Sequence, residues 1–308
     1  MSDSIWIILT GSLVAISCGL LGCFLILRKM AMVGDAISHA VLPGIVIAYL
    51  VSGDRVGILP LVGAAAVGLF AAVMIEWLYR KARLQTDASI GITFTWLFAI
   101  GVIITSYFSG KIDLDQECIL YGEIAYVPLD LIIDSAGNSF GPRPFWILLT
   151  VLTLIVGFII VGYRGLFLTT FDPGFAAALG ISTAFWHYSL MGAVSLTTVV
   201  SFESVGAVLV VAFLVVLPAT AYLLTDDFKR MLVITSILGV TSAIGGYYLA
   251  LIFDGSIAGA MTIAAGVQFA FALFFSPSKG ILINRIKAGD IPSTGSLSRQ
   301  DFPLGNKQ

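Results

Sequence analysis

The chain has 308 residues, 58% of them hydrophobic and only 11% charged, with a mean hydropathy of +1.02 and a formal net charge of −2. That balance excludes a soluble domain of this size, and no basic patch with interleaved aromatics points to a nucleic-acid partner. A spanning helix needs about 20 apolar residues, and such runs recur along the whole sequence, so the fold class is an all-α polytopic membrane protein. Three cysteines, Cys18, Cys23 and Cys118, are too few for a disulfide framework. The first two lie inside an apolar run and read as packing residues.

Taken in order, nine spans are predicted, at 5–27, 36–52, 57–78, 88–108, 145–163, 187–202, 205–224, 231–251 and 257–275. The opening MSDSIWIILT lacks the basic stretch of a cleavable signal, and its apolar run is too long for one, so it is read as the first span. Within it Gly11, Ala15 and Gly19 recur at four-residue spacing, which lets helix backbones approach closely in lipid. The second span is short, and barely a turn around Glu203 separates the sixth from the seventh, so the count is eight or nine. Two connections are long. The one at 109–144 carries Asp113, Asp115, Glu117, Glu123, Asp130 and Asp134, an acidic surface that can raise local cation concentration or dock a partner. The other, 164–186, contains FDPGFAAALGIS. Residues 1–276 form one transmembrane domain, and the Ser-, Gly- and Pro-rich tail at 277–308 is expected to be disordered.

Charge gives the orientation. With the N-terminus outside, the inner connections and tail hold thirteen Lys and Arg residues, and the outer connections hold only Arg55, Lys111 and Arg143. This bias places the N-terminus outside and the C-terminus in the cytoplasm.

The most informative segment is GDAISHAVLPG, Gly34 to Gly44. Asp35 and His39 stand four residues apart, on one helix face and one turn from each other. Ionisable groups entering a membrane segment are costly and mark function, and carboxylate plus imidazole suits manganese, iron or zinc. The structural alternative makes Asp35 an N-cap and His39 an interhelical hydrogen-bonding residue. Glu203, in VVSFESVGA, is either a ligand or gate at the outer mouth, or a cap or the partner of Arg55 or Lys111. His187, beside Trp186 and Tyr188, occupies an interfacial position. Glu76 stands one turn before Arg80 as an i,i+4 ion pair. FDPGFAAALGIS has Pro in a first helical turn, an Ala-rich middle and a Gly stop, which describes a short helix fit for a partner's cleft or a plain amphipathic linker. The sequence has no G-x-x-x-x-G-K-[ST] loop, since SGKID at 109–113 lacks its first Gly and its Ser/Thr. Nor does it have H-E-x-x-H, and it holds only two histidines, so a membrane-embedded metalloenzyme is not expected.

Five motifs, in order, carry a family resemblance: LRKMAMVGDAISHAVLPG, LYGEIAYVP, TTFDPGFAAALGIS, VVSFESVGAVLVVAFLVVLPATAYLLTDDFKRM and FFSPSKG. Over roughly residues 5 to 285 the chain resembles the permease subunits of the zinc/manganese/iron class of ATP-binding cassette importers. It departs at Gly174, where relatives often carry an acidic residue. The resemblance implies the fold of the vitamin B12 and siderophore importer permeases, in a bacterial cell membrane. It also implies a second permease subunit (a copy of this chain or a paralogue), a cytoplasmic ATPase that hydrolyses ATP, and an extracellular or periplasmic metal-binding protein. Manganese, zinc or iron is then cargo and no cofactor is bound permanently. Asp35 and His39 become the translocation site, each subunit giving one carboxylate and one imidazole, and Asp172, Pro173, Ala176, Ala177 and Gly180 belong to the helix that couples to the ATPase. The alternative is a gradient-driven secondary cation transporter. Inverted repeats with helices broken at the midplane would mark it, and no clear repeat is present.

Overall fold

Helix α1, Asp3–Leu27, is the axis of the bundle in the computed structural model, which describes residues 3–52, 58–108, 124–133 and 139–276. Its most apolar stretch is 78% buried, against 28% for several peripheral spans, so it is surrounded by protein and they face outward. It packs on α6 (Arg143–Phe171), α9 (Ala207–Leu224) and α10 (Phe228–Phe253). The small-residue stripe is the seam. Gly11 lies against Met261, Ala15 against Gly239 and Gly19 against Thr235. The two cysteines of this helix are buried, with Cys23 Sγ 3.3 Å from the Thr235 hydroxyl.

The second span is helical from Val33 to Ser52 but broken at Val41 into α2, Val33–Ala40, and α3, Leu42–Ser52. Pro43 accounts for the break, because it has no N–H for the carbonyl four residues back and its ring crowds that carbonyl. α4 (Ile58–Lys81) and α5 (Thr86–Tyr107) complete this side. α3 and α4 meet at Gly44 and Gly63, where a Cβ on either would run into the other's carbonyl oxygen. A 3₁₀ turn, Ile124–Leu129, and an antiparallel ribbon of β1 (Leu131–Ile133) and β2 (Ser139–Pro142) close one end of the bundle, with Leu131 opposite Pro142.

Among the described residues eight helices, counting Val33–Ser52 as one, are long and apolar enough to cross a membrane. The remaining expected span is α8, Thr183–Val205, which is 23 residues long but less apolar. Its buried polar residues Thr197 and Thr198 donate to carbonyls one turn back, both at 2.7 Å, so the helix carries them without unpaired donors. A single residue, Gly206, separates α8 from α9. Its φ of 82° and ψ of 163° lie in a region open essentially to Gly alone.

One connection is shorter than expected. α6 does not stop near Arg164 but runs to Phe171, and α8 begins at Thr183, so 164–186 shrinks to 172–182. The apolar run ends at Arg164, yet Gly165, Leu166 and Thr169 continue the buried stripe at helical spacing. Pro173 ends it, since the residue before a proline is pushed out of the helical region, and Asp172 has φ −144° and ψ 86°. α7, Pro173–Ala178, follows, and α11, Ile257–Phe275, is the last helix described. The tail at 277–308 and most of the acidic loop, with Asp113, Asp115, Glu117, Glu123 and Asp134, lie outside the described residues.

Charge separates between the two ends of the bundle. Arg28 at the end of α1 donates to Thr170 and Thr169 at the end of α6, both at 3.0 Å, and Lys229 sits 5.9 Å from the Tyr163 ring. At the opposite end Trp6 packs edge-on to Phe145 at 5.1 Å, and the Tyr247 hydroxyl donates to Ser4 at 2.6 Å. Of the nine described Lys and Arg residues only Arg143 belongs to the Trp6 end.

The Gly44–Gly63 crossing yields a direct test. Gly63→Val should lower the melting midpoint of the detergent-solubilised protein, because overpacking costs about 1–3 kcal/mol. Gly157→Ala, where an added Cβ meets nothing within 4 Å, should leave the midpoint unchanged.

Candidate metal site and partner-docking helix

The turn between α1 and α2 positions the carboxylate–imidazole pair. α1 ends with the Met30 N–H donating to the Leu25 carbonyl and the Lys29 N–H to the Ile26 carbonyl, both at 2.9 Å, with Lys29 in the left-handed region at φ 58°. The chain therefore reverses within a few residues and α2 starts at Val33. The N-cap is Met32, without a side-chain cap, so Asp35 stands inside the first turn and is not the cap. Its carboxylate is therefore not spent on capping the helix.

His39 lies one turn on. Its Nε2 is 3.6 Å from Asp35 Oδ1, and the two side chains are 34% and 36% exposed. Phe94 and Phe98 of α5 hold the imidazole, with ring centroids 6.0 and 5.8 Å away. Asp35 also lines a cavity of about 330 Å³ with Met32, Ala36, Ile90, Phe94 and a second carboxylate, Asp87. Sequence reasoning missed Asp87. The signal was the same as at Asp35, an acid in the first turn of an apolar run. Among the described residues no group of three or more His, Cys, Asp or Glu side chains could hold a metal ion, so one chain offers a pair and not a closed site.

Glu203 is not part of this arrangement. It is exposed near the far end of α8, in the electrostatic field of Arg143 and Asp130, whereas His187 is near the start of that helix. Sixteen residues of α-helix between them correspond to about 24 Å. Arg55 and Lys111, its expected partners, lie outside the described residues. His187 is drawn inward and not left in an interfacial belt: its side chain is 15% exposed and its Nε2 is 3.5 Å from Glu76 Oε2. The expected Glu76–Arg80 pair is formed. Burial lowers the Arg28 guanidinium to about 10, still charged at neutral pH.

The short helix α7 projects from the end of the bundle that carries Arg28. Asp172 caps it, Oδ1 accepting from the Phe175 N–H at 2.9 Å, Pro173 is its first residue, and Gly180 at φ 78° turns the chain out of it. Only Ala176 is buried in this stretch. Ala177 faces out with Phe175 and Leu179, which are 53% and 56% exposed. The alanines thus divide, with Ala176 seating the helix on its own chain and Ala177 on the free face.

The family model described as the ABC 3 transport family matches residues 4–276. The chain is 50% identical over 287 residues to the "Manganese transport system membrane protein MntD" of Bacillus subtilis, covering 93% of this chain and 97% of the relative. It is 40% identical over 276 residues to the "Zinc transport system membrane protein TroD" of Treponema pallidum, covering 90% and 75%. Among solved structures it resembles "PsaBC from Streptococcus pneumoniae in complex with Fab", with a TM-score of 0.76, 30% identity and 94% and 96% of the two chains covered. An inward-facing metal-chelate type ABC transporter, at TM-score 0.59 and 13% identity, shares the fold, covering 88% and 85%. A multi-pass helical bundle of this shape, matched by the family model over residues 4–276, is a membrane permease of an ABC transporter. The chain belongs to the ABC 3 transport family.

Proposed function

We propose that this chain is the permease subunit of an ATP-driven bacterial importer of manganese or zinc, and that the metal passes Asp35 and His39. The observation that carries the reading is their geometry. A metal bonded at about 2.1 Å to two donors at a near-tetrahedral angle holds them about 3.4 Å apart, and Nε2 and Oδ1 stand 3.6 Å apart without it. Neutral imidazole gives a lone pair, and the carboxylate offsets part of the ion's charge. A pair binds more weakly than a closed four-ligand site, as a cargo that must be released requires. A second permease subunit, identical or paralogous, completes the set from the other side. The relatives named for manganese and zinc support these two metals as cargo.

ATP energy enters through protein contact, because the sequence has no nucleotide-binding loop. α7 is the docking element for a cytoplasmic ATPase, its exposed Phe175, Ala177 and Leu179 fitting a cleft on that partner. A metal-binding protein delivers the ion at the opposite end, where Glu203 stands. The clustering of eight of nine described basic residues at the Arg28 end supports a cytoplasmic location for that end, with the N-terminus outside.

Three outcomes check this reading. Asp35→Asn and His39→Ala should each abolish accumulation of radioactive manganese or zinc in cells while the protein still inserts, and normal uptake in either variant would remove the site assignment. Ala177→Arg should leave folding intact, since Ala177 is exposed, but should suppress both metal-stimulated ATP hydrolysis and uptake in the assembled complex. A cysteine replacing Gly255, between α10 and α11, should react with an impermeant maleimide on intact cells, and one replacing Leu179 should not. The reverse pattern would invert the orientation.

A further inference from the structure

The bundle end that holds Asp35 and α7 also holds a polar cluster around a buried carboxylate that the metal reading does not use. Glu76 on α4 is only 9% exposed and is bound from two sides, by Arg80 on its own helix and by His187 Nε2 at 3.5 Å from α8. Close by, Arg28 reaches from the α1–α2 turn to the hydroxyls of Thr170 and Thr169, both at 3.0 Å. Arg28, Glu76, Arg80, Thr169, Pro173 and His187 share the lining of one cavity of about 330 Å³. Glu76 and His187 repeat the donor types of the metal site, but Arg28, Lys29 and Arg80 line the cavity with them and repel a cation. This cluster is not a second metal site.

Its position along the chain indicates another role. Thr169 and Thr170 lie just before α7, and His187 lies in the first turns of α8, just after it. Both flanks of the docking helix are therefore held. Arg28 holds the leading flank from a turn that runs straight into α2 and Asp35. Glu76 holds the trailing flank from α4, which packs against α2, α3 and α5. Trp186 adds a third fixed point, its ring filling the space over Gly162 and Gly165 of α6 where side chains would otherwise stand.

We infer that Glu76, His187 and Arg28 are positioning residues that connect the docking helix to the metal-bearing helix. A purely apolar contact can slide as helices shift. A buried carboxylate held between an imidazole and a guanidinium resists separation, because parting them leaves its charge without partners away from water. Movement imposed on α7 is therefore passed on by α8 to α4 and by α6 to the α1–α2 turn. The metal ligands sit at the far side of both links.

The inference rests on the reading of α7 as the ATPase docking site, and the test separates the two. In the permease assembled with its ATPase, hydrolysis is measured with and without the manganese-loaded binding protein for Glu76→Gln, His187→Gln and the double variant. Manganese affinity of the permease and the melting midpoint are measured alongside. Each single variant should cut stimulated hydrolysis about tenfold, within the usual range of coupling between sites, with basal hydrolysis and manganese affinity kept within about twofold. The double variant should be no worse than the more damaging single, as for two halves of one link. Full stimulation in both singles, losses that multiply in the double, or manganese affinity falling in step with stimulation would each overturn the inference. If Glu76→Gln does not assemble, Thr169→Val with Thr170→Val tests the other flank, with the same loss expected and retained stimulation counting against the link. Stimulation lost in Ala177→Arg but kept in the cluster variants defeats this inference alone. Stimulation kept in Ala177→Arg defeats the docking reading beneath it.

Discussion

Close approach of helix backbones is the constraint on which this structure depends. In a membrane, lipid tails are as apolar as leucine, so helices adhere only where small residues let them pack tightly. Gly11, Ala15 and Gly19 on α1 supply that seam against α10 and α11, and Gly44 and Gly63 repeat it between α3 and α4. With α1 fixed as the axis, the tight turn at Lys29 sets where α2 begins. That turn puts Asp35 and His39 at the end of the bundle facing α5, and not in its apolar middle.

The two carboxylate–imidazole pairs in this chain use the same chemistry and reach different ends. Glu76 and His187 are largely buried, with Arg80 on the carboxylate and Arg28 and Lys29 on the same cavity, so the basic groups around the pair repel a cation. Asp35 and His39 are about one-third exposed, and among the described residues no Lys or Arg forms an ion pair with Asp35. Asp87, the second carboxylate on the cavity that Asp35 lines, deepens the negative potential there. What separates the two pairs is the charge around them.

The same end of the molecule brings together the Asp35–His39 pair, the exposed helix α7 and the polar contacts on either side of that helix. The Asp35–His39 pair and the short helix α7 lie at the same end, and Pro43, close to that pair, breaks the second span. Such breaks give a packed bundle discrete places to bend.

Local chemistry made much of this legible in the sequence. Apolar run length gave the spans, and the basic residues gave two unlike ends. The four-residue spacing of Asp35 and His39 gave their shared face, and FDPGFAAALGIS gave a short helix begun by Pro173 and ended by Gly180. Each of these depends on residues within a turn or two of one another, where backbone geometry is enough. The partners across helices were not legible. Nothing near Glu76 announces His187, and nothing near Arg28 announces Thr169 and Thr170. The inward turn of Ala176 and outward turn of Ala177, the approach of Asp87 to Asp35, and the run of α6 on to Phe171 likewise depend on which helix lies alongside and at what depth. Sequence period says which face of a helix is apolar. Only the packed bundle decides what that face meets.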